Sequence, residues 1–184
     1  MAGRFLRKRA PARVALVLGE GEERLLRDLL GQVRELVAPE QPADTDPLAA
    51  LVGIGTSTAA SADPVLARLF PDAYPDDPDA AGDFRRYTEP GLRERKHGAV
   101  TLALAVLDRA PEGRRRERVL SADESMAWLG ALNDLRLALG TRVGVEEDWA
   151  EQLAALDEDD PRALLLAIYD WLSWLQETLV RSLP

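Results

Sequence analysis

The side chains of this sequence that could do chemistry are few. Cysteine is absent and histidine occurs once, as His97 between Lys96 and Gly98. A single imidazole with no thiolate cannot build a Cys/His zinc site, and no neighbouring serine completes a triad around it. The run Gly53-Ile54-Gly55-Thr56-Ser57-Thr58 has the glycines of a phosphate loop. It lacks the Gly-Lys-Ser/Thr ending and a preceding strand, so it reads as a linker. The acids Asp157–Asp160 lack the spacing and the glycine of a calcium loop, and they precede a helix whose positive end favours acids anyway. No catalytic residue, metal or cofactor is expected, and the chain reads as a non-enzyme.

What remains is a set of polar groups, Arg68, Tyr74, Asn133, Asp134, Arg136 and Arg142, together with two basic runs. Asn133 and Asp134 are poor mid-helix residues, so each is expected to bond to a neighbouring loop or a partner. If three or more of Arg68, Tyr74, Asn133, Arg136 and Arg142 met in a closed pocket, a carboxylate or phosphate could bind there, and the chain would be a small-ligand binder or an enzyme. The first basic run holds Arg85, Arg86, Arg93, Arg95 and Lys96, and the second Arg114, Arg115, Arg116 and Arg118. Arg93 and Lys96 lie three apart and share a helix face. The expectation is that Arg85, Arg86, Arg93 and Lys96 are exposed and meet an acidic protein surface, or DNA phosphates.

Charge supports a local patch of this kind. The net charge is −9, yet residues 82–118 carry ten basic and six acidic side chains. Overall acidity opposes non-specific coating of nucleic acid. The absence of cysteine suits a reducing cytoplasm. No apolar run is long enough to span a membrane, and the basic N-terminus lacks the apolar core of a signal peptide.

The elements that must position these groups are mostly helical. With aromatics at 5%, the core has to come from Leu, Val and Ala, a composition that favours helices. Alternation of Val14, Leu16 and Leu18 predicts a hairpin over 3–8 and 13–18, with a third strand over 116–121 pairing onto it. Helices are predicted over 22–37, 47–52, 64–69, 78–87, 89–109, 122–139, 146–156 and 161–183. Pro90 separates the fourth from the fifth, and residues 38–62 form a long flexible connection. Four Asp-Pro pairs, at Asp46, Asp63, Asp77 and Asp160, read as helix starts, with Asp capping free N–H groups and Pro at the first position. Ser121 and Glu124 form a capping box, and Gly140 is expected to terminate that helix.

The expected fold is therefore a single mainly α domain over 1–184, a helical bundle with a small N-terminal antiparallel hairpin or three-stranded sheet. Its expected core is Leu26, Leu29, Val33, Phe70, Phe84, Leu92, Ala99, Leu102, Val106, Trp128, Leu132, Leu135, Ile168 and Leu172. In the last helix, Trp171 and Trp174 flank an Ile168–Leu172–Leu175–Leu179 seam. Those rings are either core or a homodimer interface.

Two stretches are distinctive together. One is Asp63-Pro64-Val65-Leu66-Ala67-Arg68-Leu69-Phe70-Pro71-Asp72-Ala73-Tyr74, continuing through Asp83-Phe84-Arg85-Arg86-Tyr87-Thr88 and Leu92-Arg93-Glu94-Arg95-Lys96. The other is Ala127-Trp128-Leu129-Gly130-Ala131-Leu132-Asn133-Asp134-Leu135-Arg136-Leu137-Ala138-Leu139-Gly140-Thr141-Arg142. With the Phe5 hairpin and the Glu23–Leu30 helix, they resemble the actinobacterial family of AosR-like oxidative-stress transcription regulators over roughly residues 3–145. The resemblance implies stress-responsive transcription control in the cytoplasm, through contact with the transcription machinery or a sigma factor, and a link to cysteine metabolism. It also implies redox sensing by cysteine, which this chain cannot perform.

Overall fold

The computed structural model describes residues 3–9, 12–39, 61–113, 116–146, 149, 151 and 160–183. The predicted segments 47–52 and 53–58, Arg114 and Arg115, Asp157 to Asp159, and most of 146–156 lie outside these. Strand β1 (Arg4–Arg9) pairs antiparallel with β2 (Ala12–Val17), which pairs antiparallel with β3 (Glu117–Leu120), in the order β1-β2-β3. The register sets Phe5 opposite Leu16, and Leu16 opposite Arg118. Because side chains alternate, Phe5, Val14, Leu16, Arg118 and Leu120 share one face, and it is the buried one.

Helix α1 (Glu20–Leu36) carries three acids in its first turn, where the positive end of the helix dipole favours them. Glu22 reaches back to accept from the Gly19 and Gly3 N–H groups at 2.7 and 2.5 Å. Helices α2 (Pro64–Leu69), α3 (Pro78–Asp108) and α5 (Pro161–Ser182) each begin with the expected Asp-Pro cap. Asp63 accepts from the Val65 N–H at 2.8 Å, Asp77 from Ala80 at 3.0 Å and Asp160 from Arg162 at 2.8 Å. The Arg162 side chain also donates to Asp160, and this holds the carboxyl below its usual range. Helix α4 (Ala122–Val143) opens with the predicted capping box, Ser121 and Glu124 exchanging bonds of 3.1 and 2.8 Å.

Two boundaries differ from the sequence reading. Pro90 lies inside one continuous α3 rather than between two helices. A mid-helix proline costs about 3 kcal/mol through its missing N–H and its ring clash. Here Arg85, Glu89 and Arg93, spaced by four, carry ion pairs across that turn. The buried stripe continues on both sides, through Ala81 and Val100. Likewise Gly140 does not end α4. The helix runs to Val143, and Gly144, at φ 71°, supplies the left-handed cap. Gly140 is instead a point of close approach, since a Cβ there would sit 3.1 Å from Cε2 of Tyr169 on α5.

Helix α4 is the centre of the bundle, packing against α1, α2, α3 and α5. It is buried around most of its circumference, as a helix enclosed by others must be. Trp128, fully buried, meets Phe5 edge-on at 5.7 Å and so joins bundle to sheet. The seam of α5 is buried at Leu172, Leu175 and Leu179, with Ile168 partly buried. Each buried leucine contributes roughly 1.5–3 kcal/mol relative to leaving it in water. The core otherwise matches expectation at Leu26, Val33, Phe70, Val106, Leu132 and Leu135, with Leu29 and Leu92 packed against it. The exceptions are Ala99 and Leu102, which are half-buried outside the core cluster, and Phe84, at 46% exposed. Nine residues separate it from Arg93, which puts the two on opposite sides of α3, and Arg93 occupies the inner side.

Candidate interaction surface

The inner face of α3 is an ion-pair belt. Arg85 pairs with Asp72 and lies 3.7 Å from Glu89; Arg93 binds the same Glu89 at 2.7 Å. The Arg93 guanidinium sits 4.5 Å above the Phe70 ring, a cation–π contact that α2 delivers by ending at Leu69. Lys96 Nζ reaches Asp134 Oδ1 on α4 at 2.6 Å and lies 5.9 Å from the same ring. Arg85 and Arg93 are thus buried, and the expectation that they project into solvent toward an acidic partner is corrected. Residues 85, 89, 93 and 96 form one stripe at four- and three-residue spacing, and the fold turns that stripe inward. Reversing Arg85 and Arg93 to Glu would therefore break the fold's own pairs rather than leave stability unchanged.

The outer face of the same segment is aromatic. Tyr74 (50% exposed) meets Phe84 edge-on at 5.9 Å, and Tyr87 is 64% exposed with the Arg86 guanidinium 5.9 Å from its ring. Beside this pair is a hollow of about 300 Å³ lined by Phe70, Asp72, Phe84, Leu92 and Arg95, among others. Exposed tyrosine, phenylalanine and arginine around a hollow make up the side-chain chemistry that dominates protein–protein contacts. Of the expected basic site residues, Arg86 borders the aromatic rings and Arg85 lines the hollow beside them. Tyr87 was not singled out from the sequence. Its signal was available, because Phe84 and Tyr87 are three apart on the face opposite Arg85 and Arg93.

The polar motif residues do not converge. Arg68 and Arg136 line a hollow of about 320 Å³ with Tyr169 and Gly140. Arg142 lines a different one, of about 430 Å³, between α1 and α4. Tyr74 belongs to the aromatic surface, and Asn133 is exposed on α4. Two of the five meet, short of the three that a carboxylate or phosphate pocket would need. Arg136 is committed elsewhere: it donates to Ser173 at 2.9 Å and Gln176 at 2.6 Å, and its guanidinium lies 5.3 Å from the Tyr169 ring, which ties α4 to α5. Asp134 bonds Lys96 on α3, a helix of its own chain rather than the expected loop or partner.

In the second basic run, the Arg116 side chain is 41% exposed and pairs with Glu20 and Glu23 at 3.4 and 3.5 Å, whereas Arg118 is turned inward. Arg118 is buried on the core face of β3; it binds Glu23 at 2.8 Å and donates to the carbonyls of Arg109 and Leu107 at 2.8 and 3.2 Å. Burial pushes the Glu23 carboxyl up, but the hydrogen bonds and charges of Arg118 and Arg27 outweigh it and hold the carboxyl below its usual range. On α5, Trp171 packs against the core, while Trp174 is 37% exposed. No group of described residues could hold a metal ion. No helix among them is long and apolar enough to cross a membrane.

The family described as a domain of unknown function, DUF2017, matches residues 2–183. A Mycobacterium leprae protein named for the oxidative stress regulator AosR is 35% identical over 194 aligned residues, covering 98% of this chain and 82% of that protein. The oxidative stress regulators AosR of Mycobacterium tuberculosis (H37Rv) and Mycobacterium bovis are each 33% identical over 178 residues, covering 89% of this chain and 78% of theirs. No solved structure matches the chain.

Proposed function

From the premise that this chain belongs to the DUF2017 family together with the AosR oxidative stress regulators, we propose that it is a cytoplasmic, non-enzymatic regulator of the oxidative-stress response. It acts by protein contact with the transcription machinery, in the first place a sigma factor. The observation that carries the contact is the exposed Tyr74–Phe84 pair with Tyr87 and Arg86 beside the hollow at Arg95. Direct DNA contact is secondary. The net charge of −9 repels phosphate, and three of the four expected contact cations are ion-paired within the chain.

The test is binding of the full chain to host RNA polymerase, as core enzyme and loaded with each sigma factor in turn. Changing Tyr74, Phe84 and Tyr87 together to serine should leave the melting temperature within a few degrees, because all three rings face water. Buried aromatic anchors contribute about 2 kcal/mol or more each, so affinity should fall at least about thirtyfold. Unchanged affinity in the triple variant would move the contact elsewhere. Absence of binding to every form of the polymerase would sink the mechanism.

Self-association through α5 is part of the same proposal. Trp174 offers its ring to a twofold copy, whereas Trp171 is largely spent on the chain's own core. Light scattering at micromolar concentration should give about twice the chain's 20.2 kDa, reduced to 20.2 kDa by Trp174→Ser. A wild-type mass of 20.2 kDa removes the dimer.

A further inference from the structure

The strand register sets a row of side chains across the sheet, with Arg7 opposite Val14 and Val14 opposite Leu120. This row lies two residues along from Phe5–Leu16–Arg118, so it belongs to the same, core-facing side of the sheet. The Phe5 row is covered by Trp128 and by Thr178, whose Oγ1 accepts from the Phe5 N–H at 3.0 Å. The next row is open at its Arg7 end, where that residue is exposed. There α4 has only begun, at Ala122, and α5 is ending, at Ser182, and the row gives onto a hollow of about 690 Å³. Val14 and Leu120 form its apolar floor, and Met126, 59% exposed, and Leu183 form its walls.

The polar groups around the hollow are mostly committed. Arg109 is bound to Glu124 at 3.1 Å. The Ser125 and Ser182 hydroxyls donate to the carbonyls of Ser121 and Thr178 at 2.8 and 2.7 Å. Arg7 differs, having no ion pair or hydrogen bond among the described residues. Arg13 borders the hollow too, but it stands opposite Lys8 and so projects from the other face of the sheet. Glu112, exposed, adds a negative charge at the rim.

We propose that this hollow binds an amphipathic monocarboxylate, an apolar chain ending in one carboxylate. Arg7 takes the carboxylate, because a guanidinium presents paired N–H donors that match its two oxygens. The chain lies over Val14 and Leu120 against Met126 and Leu183, removing apolar surface from water. The volume falls within the roughly 300–1,000 Å³ of ordinary small-ligand sites. A dianion such as a phosphate monoester is disfavoured, because Glu124 already neutralises Arg109 and Glu112 repels a second negative charge. The hollow shares no lining residue with the one beside Tyr74 and Phe84, so its occupancy is tested apart from the regulatory reading.

The probe is decanoate, kept below its micelle concentration and titrated into the full chain by calorimetry. One saturable site with Kd below about 100 µM is expected for a ligand of this size. The chain has two methionines, so labelling their methyl carbons gives a local reporter, with Met126 assigned through Met126→Leu. The Met126 signal should shift along the same isotherm. Arg7→Gln should weaken binding at least about tenfold, the loss of a charge-assisted hydrogen bond, whereas Arg13→Gln should change it by less than about twofold. Ala122→Trp, at an exposed position bordering the hollow, should abolish binding and leave the melting temperature within a few degrees. Decyltrimethylammonium, of equal chain length and opposite charge, should not displace decanoate. The inference is overturned by absence of saturable binding, by a Met126 methyl unmoved at saturation, or by affinity undiminished in Arg7→Gln or in a folded Ala122→Trp. Equal losses in Arg7→Gln and Arg13→Gln, or displacement by the ammonium, would reduce the site to a nonspecific surface and overturn it as well.

Discussion

Lys96→Met should lower the melting temperature by roughly 6–20 °C, the largest effect expected of any single charge change in this protein. The Asp134 side chain is 5% exposed and the Lys96 side chain 16%. Removing the lysine strands a carboxylate inside the bundle, and breaking a buried pair in that way costs about 3–5 kcal/mol. In a chain of this length each kcal/mol moves the midpoint by about 2–4 °C. The reverse change, Asp134→Ala, should cost less, because the long lysine stem can carry its ammonium out to water. The double variant Lys96→Met, Asp134→Leu should recover most of the loss, since it leaves no buried charge unpaired. Thermal melts of the three variants decide the matter. A loss below about 1 kcal/mol for Lys96→Met would place the pair among ordinary surface contacts.

Arg118→Ala should be nearly as damaging. The Arg118 side chain is 2% exposed and closes three junctions at once, to Glu23 on α1 and to the carbonyls of Leu107 and Arg109 at the end of α3. Truncation leaves those carbonyls without their donor and empties the space of a long side chain, a loss of about 3 kcal/mol. Glu23 keeps a second cation in Arg27 at 3.3 Å, so the loss belongs at the lower end of that range. The same cluster predicts a pH dependence. The Glu23 carboxyl is held below its usual range in the folded chain. A depressed carboxylate contributes stability that is fully present above its unfolded value, at about 4.3, and is lost as pH falls through the folded value. Wild-type stability should therefore decline with acidification below about pH 4.5, and Arg118→Ala should flatten the Glu23 part of that decline. Equal slopes in urea titrations of the two proteins across that range would remove Glu23 as the cause.

Most of the scaffold was legible in the sequence because its signals are local. Asp63, Asp77 and Asp160 cap helices through residues two or three positions away, and Ser121 and Glu124 satisfy each other within one turn. Alternation at Val14 and Leu16 is likewise a property of consecutive residues, and it sufficed to anticipate a sheet that the 117–120 strand completes. The errors at Pro90 and Gly140 share a cause. Local propensity says that proline restarts a helix and glycine ends one; pairs one turn apart bridge the proline, and packing from another helix overrides the glycine. Arg85 and Arg93 are held through Glu89 across the proline, and Tyr169 lies against the glycine.

The interaction surface was half legible, for a different reason. Periodicity shows that Arg85, Arg93 and Lys96 share one side of α3 while Phe84 and Tyr87 share the other. It cannot say which side faces in, and an aromatic face is the usual choice for the core. What decided the orientation is long-range charge. Asp72 stands 13 residues from Arg85, and Asp134 stands 38 residues from Lys96. Only when α2 and α4 are folded against α3 do these acids and the Phe70 ring supply the partners that make burying three cations tolerable. The sequence by itself determined the helices, their caps and the sheet, because those depend on neighbours along the chain. The tertiary structure alone decided that the cations would be structural and the aromatic rings would be left to solvent, because a charge can be buried only where it is paired, and Asp72, Asp134 and the Phe70 ring come from outside α3.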